Sequence, residues 1–151
     1  MEKLHYTVVI NAPKEKVWST MLEDQSYREW TAAFNAGSYF KGDWSKGSKM
    51  LFLGPDPRDG VEGGMVAEVV ENKPYEFISL HHYGLYKNGV EDTTSDEVKK
   101  WANAFENYTF TTVDSGTEVA VDLEGASELA EMFNDTWPKA LAKLKEIVER
   151  S

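Results

Sequence analysis

The sequence has no cysteine, which excludes disulfide bonds, thiol catalysis and cysteine-ligated zinc, and which suits a reducing cytoplasm. It also lacks an apolar run approaching the roughly 20 residues that a membrane-spanning helix needs. The first residues, MEKLHYTVV, show neither the basic start nor the apolar stretch of a signal peptide. We therefore expect a cytoplasmic protein without stable membrane insertion.

Positive charge is scarce, since 16 Lys and Arg residues stand against 26 Asp and Glu residues and the formal net charge is −10. A field of this sign repels phosphate backbones and anionic lipid surfaces, so nucleic acid is not an expected partner. The nucleophile elbow, the dinucleotide fingerprint and the P-loop are all missing. His81 and His82 are adjacent on a predicted strand and point to opposite faces, so we predict no metal site and no cofactor.

Aromatic residues, by contrast, are abundant. Five Trp, seven Tyr and seven Phe make up 13% of a chain of 151 residues. That length fits one domain, here residues 1–151, and no linker-like segment divides it. Nineteen rings must therefore be accommodated within one small fold, either as its core or as the wall of a pocket.

The residue pattern predicts a strand, then two short helices, then a series of strands. Residues 4–11 are β-branched and partly alternating, and Pro13 is suited to the start of a helix. Asp24 is the expected cap of a second helix, with aromatic residues on one face. Further strands are predicted at residues 38–40, 49–53, 65–71, 75–84, 101–113 and 117–125, the last two joined by a hairpin at Asp114-Ser115-Gly116. The polar residues 87–99 are expected to form a solvated loop or, alternatively, a lid.

A long helix is predicted at the end of the chain. Ser127 is its expected cap, Pro138 is expected to kink it, and apolar residues from Leu129 to Val148 recur at helical spacing. Strands segregated from helices in this order indicate an α+β fold rather than α/β.

Several short motifs resemble the SRPBCC superfamily, which includes the START and birch-pollen-allergen-like "helix-grip" domains. The matching pieces are I-N-A-P-x-x-x-V-W at 10–18, Trp30 at the end of the second helix, G-x-x-x-E-V-x-x-x-x-P at 64–74, Gly116-Thr117, and W-P-x-x-L-x-x-L-K-x-x-V-E at 137–149. Within that superfamily, the chain looks most like bacterial relatives of heat-shock chaperone ATPase activators. The resemblance implies a curved antiparallel sheet of about six or seven strands wrapped around the long helix, with a cavity between them.

We expect a set of mainly aromatic residues to line this cavity, although the same rings could instead fill it. Each buries some 150–250 Å², so many rings can consume a potential pocket. The expected lining residues are Tyr27, Trp30, Phe34, Phe52, Phe77, His81, Tyr83, Glu106, Tyr108, Phe110, Met132, Phe133 and Trp137. Trp18, which ends the first motif, is expected to be mainly structural.

Two polar members of this set are candidates for chemistry. His81 is expected to face the cavity together with Phe77 and Tyr83, which have the same strand parity, or else to be an ordinary core or surface imidazole. Glu106 shares a strand face with Tyr108 and Phe110, so it is expected to point towards the cavity mouth, or alternatively into water. A carboxylate beside apolar rings can act as a ligand anchor or as a general base.

The sequence therefore predicts a protein that binds a small hydrophobic or aromatic molecule, or a lipid, between its last helix and its sheet. One alternative is a cyclase- or hydrolase-type enzyme with Glu106 or His81 as general base. Another, implied by the resemblance alone, is a module that binds a chaperone and acts in the stress response.

Overall fold

The computed structural model describes residues 2–101, 104–125 and 127–150, and it forms a curved eight-stranded antiparallel sheet packed against a long helix. The strands are β1 (Glu2–Ile10), β2 (Tyr39–Lys41), β3 (Lys49–Pro55), β4 (Glu62–Lys73), β5 (Phe77–Lys87), β6 (Val90–Asp92), β7 (Ala104–Val113) and β8 (Gly116–Gly125). The helices are α1 (Lys14–Leu22), α2 (Asp24–Trp30), α3 (Asp96–Trp101) and α4 (Ser127–Arg150), with a 3₁₀ turn at Thr31–Ala33.

The sheet runs in the order β1-β8-β7-β5-β4-β3-β2, and β6 pairs with the end of β5. Its two faces are clearest on β8, where Thr117, Val119, Val121 and Leu123 are buried and alternate with more exposed residues. This alternation is typical of an antiparallel sheet with one face against the core. The helix-grip α+β architecture predicted from the sequence is confirmed, with eight strands rather than six or seven.

Helices α1 and α2 follow β1 as predicted, and two indole rings fix their junction. The indole nitrogen of Trp30 donates to the carbonyl of Met21 at 3.0 Å, and that of Trp44 donates to the carbonyl of Leu22 at 3.0 Å. Asp24 is the first residue of α2, and its expected capping position is occupied by Glu23, which makes no side-chain cap. The cap expected from the Ser127 side chain lies outside the described residues.

The polar segment 87–99 is more ordered than predicted. It contains β6 and the start of α3, because Val90–Asp92 pairs with Leu85–Lys87 and because Val98 of α3 is buried. The Asp92 side chain accepts hydrogen bonds from the backbone of Thr94 and Ser95, which forms the turn into α3. The expectation of a loop without secondary structure is wrong for this segment.

Helix α4 lies across the inner face of the sheet and is buried along one stripe. Towards its C-terminal end, Leu141, Leu144 and Val148 are at most 2% exposed. Among the described residues, no helix is both long and apolar enough to cross a membrane.

Candidate functional site

A cavity of about 590 Å³ lies between the first half of α4 and the inner face of the sheet. Seven of its lining residues come from the predicted set and carry aromatic rings: Tyr27, Trp30, Phe34, Phe52, Tyr108, Phe133 and Trp137. These rings pack against one another, so they form a wall around the space and do not fill it. Trp137, for example, lies 6.0 Å from Trp30 and 4.9 Å from Phe34 between ring centroids.

Small residues complete the wall. Gly54, Gly63, Gly64, Ala104 and Gly125 all line the cavity, and none of them has a side chain large enough to occupy it. At Gly64 the restriction is absolute, because an added Cβ would lie 1.8 Å from the carbonyl oxygen of Phe52. The main chain therefore forms part of the cavity surface.

A buried polar cluster stands on the sheet side of the cavity. The Nε2 atom of His82 lies 2.9 Å from a carboxylate oxygen of Glu106, and the phenol of Tyr108 donates to the other oxygen. The side chains of His82 and Glu106 are 12% and 19% exposed. When Glu106 is ionised, Nε2 of His82 is the donor of this hydrogen bond, because a carboxylate only accepts.

Strand register explains why these two side chains meet. His82 on β5 is opposite Ala104 on β7, and Glu106 lies two residues further along β7 on the same face. Such diagonal neighbours are within reach of long side chains. The remaining ring nitrogen of His82, Nδ1, is buried and makes no hydrogen bond with the described part of the chain.

Two tyrosines extend the cluster towards α2. Burial and the nearby Glu106 carboxylate raise the pKa of Tyr27 and Tyr108 well above the usual value for a phenol. Both phenols therefore remain protonated, and the phenol of Tyr108 donates its hydrogen bond to Glu106. The cluster can orient a polar group of a bound molecule, or exchange a proton with it.

The comparisons with known proteins agree with this architecture. The family model described as "Activator of Hsp90 ATPase homolog 1-like protein" matches residues 11–149. The chain belongs to this family. No curated protein matches the sequence significantly.

Solved structures share the fold at low sequence identity. The Aha1 dimer from Colwellia psychrerythraea is 16% identical, with a TM-score of 0.70, over 99% of this chain and 97% of that one. A Nitrosomonas europaea protein is 14% identical, with a TM-score of 0.74, over 98% and 94% of the two chains. A Cytophaga hutchinsonii protein is 19% identical, with a TM-score of 0.72, over 99% and 95%. These likenesses establish the helix-grip fold in this family member.

Eight of the thirteen predicted residues line the cavity, because Glu106 joins the seven aromatic residues. The other five, Phe77, His81, Tyr83, Phe110 and Met132, do not line it. Phe110 packs against Trp18 at 5.2 Å, further along the core, and Met132 is 50% exposed on α4. The expectation that these five residues face the cavity is wrong.

For Phe77, His81 and Tyr83 the error is one of strand parity. Ile78 and Leu80 are fully buried on the inner face of β5, so His82, with the same parity, faces inwards. His81 turns to the outer face, where its ring stacks on Phe105 at 4.9 Å. A shift of one residue moves every side chain to the other face, and burial of the two large aliphatic residues determines which face is chosen.

Sequence reasoning also missed Glu97 and Glu124, which line the cavity from α3 and β8. Glu124 accepts a hydrogen bond from the backbone of Phe105 at 3.1 Å. Within the described residues, no group of three or more His, Asp or Glu side chains is placed to hold a metal ion.

Proposed function

We propose that the protein binds a small molecule with an apolar or aromatic body in the cavity between α4 and the sheet. The cavity volume of about 590 Å³ supports this proposal, because small-molecule sites occupy roughly 300–1,000 Å³. Burial of the apolar body against the rings would provide most of the affinity, and the His82–Glu106–Tyr108 cluster would fix the orientation. A cytoplasmic location is part of the proposal, since a sequence without cysteine suits that compartment.

The proposal is tested with N-phenyl-1-naphthylamine, a neutral fluorescent probe of apolar sites, together with native mass spectrometry of the purified protein. We expect saturable fluorescence enhancement, or a retained small molecule that the probe displaces. The substitution Ala104→Leu should remove most of the probe binding, because Ala104 is a buried residue of the cavity wall.

Ala142→Leu is the matched control, because Ala142 is exposed on α4 and does not line the cavity. This variant should bind the probe like the parent protein. Absence of both probe binding and a retained molecule in the folded parent protein would refute the proposal, and so would equal loss of binding in the two variants.

Interaction with a chaperone of the Hsp90 class is a second candidate, supported by the family's description. The outer face of the sheet carries an exposed ring, Phe105, which is 43% exposed and stacks on His81. If this face binds the chaperone, Phe105→Ser should weaken association with purified Hsp90 at least tenfold. Unchanged association in this variant, or no association of the parent protein, would count against this candidate.

A further inference from the structure

The charge of the cavity wall has one sign. Three carboxylates, those of Glu97, Glu106 and Glu124, line the cavity, and no Lys or Arg appears in its wall among the described residues. His82 is the one residue of this wall, as described, whose side chain can become a cation.

The three carboxylates occupy different depths. Glu106 is mostly buried, whereas Glu97 is exposed on α3 and so stands where the cavity opens to solvent. Glu124 is half-buried at the edge of the cavity, where the alternation of β8 turns its side chain towards the outer face and its carboxylate accepts a hydrogen bond from the backbone of Phe105. A molecule that enters the cavity therefore meets negative charge from the mouth to the inner wall, and a low-dielectric wall strengthens the effect of that charge.

Glu106 retains acceptor capacity despite its two partners. An ionised carboxylate offers about four lone-pair sites on its two oxygens, and His82 and Tyr108 use one on each. An ammonium group, which only donates hydrogen bonds, matches this remaining capacity. A carboxylate or phosphate on the ligand would instead face like charge.

The aromatic rings favour the same ligand charge. The faces of Trp, Tyr and Phe rings carry negative potential and attract organic cations within about 6 Å of the ring centre. Trp30, Trp137 and Tyr27 all line the cavity close to one another, with 5.4 Å between the rings of Tyr27 and Trp30. A cation held within that distance of a ring face would be attracted by the ring as well as by the carboxylates.

We infer that the cavity selects small organic cations with an apolar or aromatic body, such as arylalkyl amines, over neutral and anionic molecules of the same shape. This inference rests on the proposed function, because it names the chemical class of the ligand for the same cavity. The selection depends on charge, whereas the binding itself depends on apolar burial, so the two can fail separately.

The test compares three probes with one carbon skeleton: 4-phenylbutylamine, 4-phenylbutanol and 4-phenylbutyrate. Affinities are measured by titration calorimetry, with quenching of tryptophan fluorescence as a second readout. We expect the amine to bind about tenfold more tightly than the alcohol, and the carboxylate to bind most weakly. Raising NaCl from about 0.01 M to about 0.5 M should reduce the preference, because the exposed Glu97 is screened.

Three variants locate the source of the preference. Glu97→Gln should lower the affinity for the amine about threefold, and Glu124→Gln should lower it less, because the Glu124 carboxylate lies at the edge of the cavity. Both variants should leave the affinity for the alcohol unchanged. Glu15→Gln is the matched control, since it removes the same charge from an exposed position on α1 outside the cavity wall. It should bind all three probes like the parent protein.

The outcomes separate the two proposals. If the three probes bind equally well, or the carboxylate binds best, the inference is overturned while small-molecule binding in the cavity stands. If Glu15→Gln lowers the affinity for the amine as much as Glu97→Gln does, overall charge is responsible and the inference again fails. If no probe binds to the folded protein or its variants, the inference falls together with the proposed function.

Discussion

The two halves of α4 face the same sheet, but one half packs closely against it and the other half borders a cavity. The C-terminal half packs tightly, with Leu144 and Val148 completely buried. The N-terminal half carries Phe133 and Trp137 against a cavity of about 590 Å³. One helix and one sheet therefore produce a close-packed core at one end and an open space at the other.

Strand β7 shows where the difference arises, because it runs past both ends. At the packed end its inner face carries Phe110, which contacts Trp18. At the open end the inner positions are Ala104, which is a small residue, and Glu106, whose carboxylate accepts a hydrogen bond within the polar cluster. The open space therefore results from side-chain size and polarity along a continuous backbone.

The largest expected effect comes from truncating the packed half of α4. Leu144→Ala should lower the free energy of unfolding by about 2–5 kcal/mol, because it removes a fully buried side chain and leaves a void. Leu129→Ala, in the wall of the existing cavity, should cost less than about 1.5 kcal/mol, since Leu129 is only half-buried. Urea denaturation of both variants measures the difference, and equal losses would contradict the contrast between the two halves.

Alkaline pH should destabilise the open end next. The pKa of Tyr27 and that of Tyr108 are raised in the folded state by burial and by Glu106. Their stabilising contribution is therefore complete below the unfolded pKa near 10 and is lost as the pH rises towards the folded values. Above about pH 10, each of these two tyrosines should lower the free energy of unfolding by about 1.4 kcal/mol per pH unit.

Stability curves of Tyr27→Phe and Tyr75→Phe between about pH 9 and pH 11 test this dependence. Tyr27→Phe should make the decline of stability with rising pH less steep, because the substitution removes a phenol whose pKa is raised in the folded state. Tyr75→Phe, which changes an exposed ring, should leave the decline of stability with pH unchanged. A decline that is the same in Tyr27→Phe as in the parent protein would disprove the assignment.

Removing the Tyr108 hydroxyl should have a smaller effect. Tyr108→Phe should cost about 1–3 kcal/mol at neutral pH, towards the lower end, because a buried hydrogen bond to a carboxylate is lost while His82 still satisfies Glu106. Tyr6→Phe removes an exposed hydrogen bond to Asn134 and should cost less than about 0.5 kcal/mol. Thermal denaturation compares the two variants, and a smaller cost for Tyr108→Phe than for Tyr6→Phe would speak against a closed polar cluster.

The smallest effect is expected at Asp56, in the loop after β3. Hydrogen bonds from Arg58 lower the pKa of Asp56 to about 2. Because this pKa is depressed, the pair stabilises the fold above the unfolded value near 3.9, and that contribution is lost as the pH falls through about 2. NMR titration should show the Asp56 midpoint rising in Arg58→Gln and unchanged in Arg28→Gln; an unchanged midpoint in Arg58→Gln would refute the pairing.

Much of the fold could be predicted from local pattern. The apolar stripe of α4 and the Asp114-Ser115 turn each carry a strong periodic or turn signal, and both elements form as predicted. Helix α3 was missed because Asp96 and Glu97 in its first turn are polar and the helix is only six residues long. Short polar elements depend on what they pack against, which a single sequence does not specify.

The candidate site was less predictable, for a reason visible on β5. Ile78, Ser79 and Leu80 are all buried, so the alternation that would identify the inner face is hidden. Beyond them, Tyr83 is an extra residue between the partners of Val66 and Ala67, which shifts the parity of the strand. His82 has the same parity as the buried Ile78 and Leu80 and therefore lines the cavity in place of His81. Glu106 lines the cavity on the strand face that its parity indicates, because β7 alternates regularly up to Phe110.

The main-chain wall at Gly64 has a consequence for how the protein can evolve. A side chain at this position would collide with the Phe52 carbonyl, so selection for stability alone preserves the opening there, whether or not a ligand is present. Ala104 and Leu129, which also line the cavity, already carry side chains, so their size can change without this collision. Divergence in ligand preference would therefore proceed through those side chains, while the pocket itself is inherited with the fold.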